Sequence, residues 1–169
     1  LRAHRFNIGD YQFVSQDPSV AAPAQLMQLQ TMFLPQFLRI WIAIERATGY
    51  RWKCTSLIRD SPSHELCQAI DLAPDIAVSA RPYYAVTNRS DPVLYKRLPL
   101  IHALQTLVDV NFGPWPMGIF IEPDHLHIQI LKPSPAVTHR VHVVLWGQPK
   151  PIYADTLERM RLPVTSTGY

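Results

Sequence analysis

The spacing of apolar and polar positions changes period several times along the chain, and each change marks an element. Positions 24–33, "AQLMQLQTMF", and 35–49, "PQFLRIWIAIERATG", repeat apolar residues at helical spacing. Pro35 is expected to open the second helix at its first turn or to kink one long helix, and Gly49 fits a helix C-cap. "YRWKCTSLI" at 50–58 and "QAIDLA" at 68–73 read as strands. A loop with two adjacent tyrosines follows over 80–90. Asp91 and Pro92 then supply the N-cap and first position of another helix, with Leu94, Leu98, Ile101, Leu104 and Val108 as its buried stripe. "IFIEPDHLHIQIL" at 119–131 reads as a strand interrupted early by Pro123, and "HRVHVVLWG" at 139–147 as one more strand. A short polar helix is expected near 155–161. The order helix, strand, strand, helix, strand, strand predicts an α+β fold: a mainly antiparallel sheet with helices packed on one face.

Proline placement divides the chain. Residues 1–23, broken by Pro18 and Pro23, read as an extended N-terminal arm that packs loosely, 24–148 as the folded domain, and 149–169 as a C-terminal tail. A length of 169 residues suits one domain whose core needs no disulfides. With 47% hydrophobic and 17% charged residues, the composition is globular and not disordered. The net charge of +3 is spread without a dense Lys/Arg run, so nucleic acid is not the expected partner; an anionic polymer such as a cell wall is compatible. The most apolar window, "FLRIWIAI", is short and interrupted by Arg39, so no membrane span is expected. Cys54 and Cys67 are too few for a disulfide framework and allow either one bridge or two buried thiols. A chain starting at Leu1 reads as processed or as a piece of a longer product, and no signal-peptide pattern is visible.

Two stretches carry chemistry that a plain sheet does not need. In "SPSHELCQAIDLAPD", at 61–75, His64 and Asp71 stand seven apart. In "EPDHLHIQI", at 122–130, strand alternation puts His125, His127 and Gln129 on one face and Leu126, Ile128 and Ile130 on the other. Asp71 likewise faces opposite to Ile70 and Leu72. Both strands are thus expected to have an apolar inner and a polar outer face. Two histidines and one aspartate match the three protein ligands of a catalytic zinc, which keeps a fourth position for water. A neighbouring carboxylate can act as general base. On spacing alone, structural histidines and a turn aspartate remain an equal alternative.

The pattern His64-x6-Asp71, with Ala69 two before the aspartate, followed by Asp124-His125-x-His127, resembles the zinc D-Ala-D-Ala carboxypeptidase and dipeptidase family. That family includes phage endolysins and shares its fold with the hedgehog signalling domain. Its members look like "S-x-H-x-x-G-x-A-x-D" followed by "(D/E)-x-x-H". The resemblance spans about Tyr50 to Leu131. It implies that His64, Asp71 and His127 bind Zn2+, that Asp124 is the catalytic base, and that His125 flanks the substrate. "CTSLIRDSPSH" resembles the family's "TSGYRS" segment, which makes Arg59 the candidate for a substrate carboxylate or oxyanion.

Three departures stand out. Pro62 occupies the family's serine position and Cys67 its glycine, which suggests a changed local path, and the segment between Arg59 and His64 is short. Cys67 is an alternative ligand, and Glu122, five before His127, an alternative base. The resemblance implies a zinc metallopeptidase that hydrolyses a peptide bond in bacterial peptidoglycan, in the periplasm, outside the cell or on a virion. The competing expectation is a metal-binding, catalytically weak structural or binding protein on the same fold. Its arm and tail would dock onto a virion or other protein assembly.

Overall fold

The computed structural model describes residues 4–49, 51–75, 98–122 and 124–145. The expected loop at 80–90, the start of the third helix at 91–97, Pro123, the short helix near 155–161 and the tail lie outside them.

The N-terminal helical segment is one continuous run. Helix α1 (Pro23–Gln28) passes through a π-helical turn (Leu29–Phe33) into α2 (Leu34–Thr48). Pro23 sits at the start, where its missing N–H costs nothing, and the Ala22 N–H donates to Gln25 Oε1 at 2.6 Å. The helical run continues from the π-helical turn into α2, with Pro35 in its first turn. Just before it, the Leu34 N–H bonds back to the Leu29 carbonyl, and the widened turn sits where the proline ring would crowd a regular helix. Gly49 ends α2 at φ 72°, with its N–H on the Glu45 carbonyl at 2.9 Å. Phe33, Phe37, Ile40, Trp41 and Ile44 form the buried stripe.

Five strands form the main sheet, in the order β3 (Trp52–Ser56), β4 (Ala69–Pro74), β6 (Leu126–Ile130), β5 (Met117–Ile121), β7 (Val141–Leu145). The first four are antiparallel neighbours, and β7 runs parallel to β5, so the sheet is mixed. Ile70, Leu72, Ile119, Ile121, Leu126, Ile128 and Ile130 point into the same core as the α2 stripe. Each such side chain, fully buried, stabilises the fold by about 1.5–3 kcal/mol before entropy is counted. Helix α4 (Leu98–Gln105) buries Leu100 and Leu104, and Leu107 follows in the turn beyond it; Ile101 and Val108 of the expected stripe are only partly covered.

Two expectations change. The polar face of the sheet is not solvated: all five residues of β6 are buried, His127 and Gln129 included. Nor do residues 4–15 form a loose arm. Strands β1 (His4–Ile8) and β2 (Tyr11–Ser15) form an antiparallel hairpin around Gly9, which adopts φ 59°. Phe13 is fully buried and packs edge-on to Trp41 at 5.3 Å. Backbone bonds Leu57 N–H to Val14 O (2.7 Å) and Gln16 N–H to Ile58 O (2.9 Å) tie the hairpin to the end of β3.

Candidate metal centre

The site lies on the sheet face opposite α2. Register alone brings Asp71 of β4 directly beside His127 of β6. His64 comes from the one-turn helix α3 (Pro62–Glu65). Ser61 is extended, and Pro62 takes the first helical position, where proline is well suited, and starts the turn that carries His64. The chain leaves α3 through Cys67, whose φ of 61° is left-handed. A glycine adopts that conformation without strain, so the position keeps the backbone geometry a glycine would favour. The Gln68 N–H bonds to the Ser63 carbonyl at 2.9 Å and leads directly into β4.

His64, Asp71 and His127 are all buried, and each offers a ligand atom within 4.8 Å of the others. His64 Nε2 lies 3.1 Å and His127 Nδ1 3.0 Å from Asp71 Oδ1. A carbonyl oxygen can only accept, so the 3.1 Å contact between His64 Nδ1 and Leu57 O places the ring proton on Nδ1. That leaves a buried lone pair on Nε2, which no hydrogen bond satisfies, aimed at a carboxylate oxygen. Burial pushes the His64 pKa down, against the pull of Asp71, and keeps this ring neutral. Two acceptors at this distance repel one another unless a cation joins them. The donor set therefore fits a metal ion, and the backbone bond on the other ring nitrogen is the kind of contact that orients a histidine ligand.

His127 is oriented in the same way. Its Nε2 lies 3.2 Å from Gln129 Oε1 and 3.4 Å from Ser63 Oγ, leaving Nδ1 for Asp71. Burial works to lower the His127 pKa, but the hydrogen bond and charge of Asp71 outweigh it and raise the value. Asp71 is the reciprocal case. Burial disfavours its charge, yet the hydrogen bond from His127 holds it far below the usual carboxylate range. Phe120, 5.7 Å from the His127 ring, closes one side, over Gly118, where an added Cβ would come within 2.7 Å of the Phe120 ring.

More exposed groups rim the centre. Arg59 Nη2 is 3.4 Å from Asp71 Oδ2, with its side chain 38% exposed. His125 has a carboxylate at each ring nitrogen: Asp124 Oδ1 2.8 Å from Nδ1 and Glu122 Oε2 2.9 Å from Nε2. Burial opposes its charge, but Glu122, Asp71 and Asp124 raise its pKa to about 9, so it is an imidazolium at neutral pH. Its Nε2 is 3.8 Å from Asp71 Oδ1. Hence Glu122 shares the ring nitrogen that faces the centre, and Asp124 the opposite one.

All six residues expected at the site, His64, Asp71, His127, Arg59, Asp124 and His125, fall in this one region, and so does Glu122. Cys67 is buried but does not join the ligand group, and both cysteines are free thiols whose pKa burial pushes up to about 12. Two contributors were not singled out from the sequence. Ser63 is the residue before His64, and Ser56 sits opposite Asp71 only because a bulge in β3 shifts the register between Cys54 and Ser56. The chain matches no family model, no curated protein and no solved structure.

Proposed function

We propose that the protein is a zinc-dependent peptidase acting on a peptide bond of bacterial peptidoglycan, built on a hedgehog/DD-peptidase-like fold. The observation that carries the reading is the buried His64–Asp71–His127 group, with the Nε2 lone pair of His64 facing Asp71 and no proton between them. Three protein ligands, not four, are what a catalytic zinc uses. Zinc held there would polarise a scissile carbonyl and lower the pKa of a water. The residues of the chain supply the rest. Arg59 and the His125 imidazolium stand at the rim as cations for a substrate carboxylate or a developing oxyanion. Asp124 is the base that spacing favours, whereas geometry favours Glu122, which lies on the inward side of His125 while Asp124 holds the outward ring nitrogen.

Burial of all three ligand residues supports a second reading, a closed structural metal site in a binding or virion protein. Release of peptide from purified peptidoglycan, with and without chelator, separates the two. The peptidase reading expects hydrolysis that chelator abolishes and zinc restores. A protein that binds zinc but releases nothing from any wall substrate is a structural metalloprotein. In the same assay Glu122→Gln is expected to lose about 10²–10⁴-fold in rate while keeping its zinc, and Asp124→Asn distinctly less. The reverse ranking would return the base to Asp124.

A further inference from the structure

The hairpin lies beside β3, with Gln16 Nε2 also donating to the Thr55 carbonyl at 3.0 Å. Backbone bonds join Val14 and Gln16 to Leu57 and Ile58, and residues of β2 and β3 line a groove of about 880 Å3. That volume is in the range of pockets that enclose a ligand of several residues or a comparable small molecule. Its wall includes four cationic side chains and four aspartates, so its charges balance and it suits neither a polyanion nor a polycation. Arg5 and Lys53 are exposed on it, and Asp10 and Asp60 are exposed among the acids. Arg59 belongs to both places: it lines the groove and lies 3.4 Å from Asp71 Oδ2 of the metal centre.

We infer that this groove is the subsite for the body of the substrate: a short extended peptide bearing both an ammonium and a carboxylate side chain, led past Arg59 to the metal centre. This inference rests on the peptidase reading for the direction of the peptide, but the binding itself does not require metal. The cations on the hairpin and on β3 face carboxylates of the ligand, and the aspartates face its ammonium group. The hairpin thereby acquires a role that a minimal sheet and helix would not provide.

The test is fluorescence anisotropy of a labelled pentapeptide with one lysine, one glutamate and a free C-terminus, titrated with full-length protein in chelator. Saturable binding is expected, and the double reversal Arg5→Glu/Lys53→Glu should weaken it by at least about tenfold. Both positions are exposed, so the variant should keep its thermal midpoint and zinc content. All-acidic and all-basic pentapeptides should bind more weakly than the mixed one. Equal affinity in the double variant, or equal affinity for all three peptides, overturns the inference. If zinc-loaded protein cleaves wall peptides and the double variant does so with unchanged KM, the groove assignment fails and the peptidase reading stands. If the mixed peptide binds in the groove and zinc-loaded protein releases nothing from any wall substrate, the peptidase reading fails and the groove remains a peptide site.

Discussion

At the residue scale, conformation and protonation set what the site can do. Cys67 holds a left-handed φ of 61° while its side chain is fully buried. A glycine there would relieve about 1–2 kcal/mol of backbone strain and forfeit a similar amount of packing. Cys67→Gly is therefore expected to unfold in denaturant within about 1 kcal/mol of the parent, whereas Cys67→Val, β-branched at positive φ, should be clearly less stable. A second expectation concerns pH in the metal-free protein. The folded pKa of His125, about 9, lies above its unfolded value near 6.5, so its contribution is complete below pH 6.5. It is lost as pH rises through 9, a loss on the order of 3 kcal/mol that His125→Gln should remove. Flat stability from pH 6 to 10 would show that the carboxylates around His125 do not hold its proton.

At the element scale, what could be read from the sequence followed from local periodicity, and what could not came from register. The α2 stripe and the β4 and β6 strands are written in residue spacing, and so is the shared side of His127 and Gln129. Register is not: that Asp71 sits beside His127, and Ser56 beside Asp71 past a bulge, depends on pairing across 56 and 15 residues of chain. The hairpin at 4–15 was hidden for another reason. Its strands are short, and β1 is exposed throughout, so it has no inner face to reveal; only Phe13 and Ser15 of β2 are buried. The left-handed Gly9 and the buried Phe13 make the hairpin part of the fold. Phe13→Ala is expected to cost about 3–5 kcal/mol in a denaturant melt. Deletion of residues 1–16 should lower the thermal midpoint substantially, and an unchanged midpoint would mean that the hairpin is dispensable.

At the scale of the whole molecule, the sheet separates two environments. One face joins α2 in an apolar core, and the other, at the same strands, carries the buried His64–Asp71–His127 group. Such a group is costly unless a cation joins it, and this ties folding to metal. Chelation should lower the thermal midpoint of the parent protein and leave that of Asp71→Ala unchanged. His64, Asp71 and His127 are expected to hold the ion together. The most direct measurement is equilibrium dialysis of zinc against the parent, His64→Ala and His127→Ala, with folding of each checked by circular dichroism. The expected result is about one zinc per parent chain, with binding weakened at least about 100-fold in each folded variant. A parent chain that takes up no zinc, or folded variants that bind it as tightly as the parent, would show that these three residues do not form a zinc site.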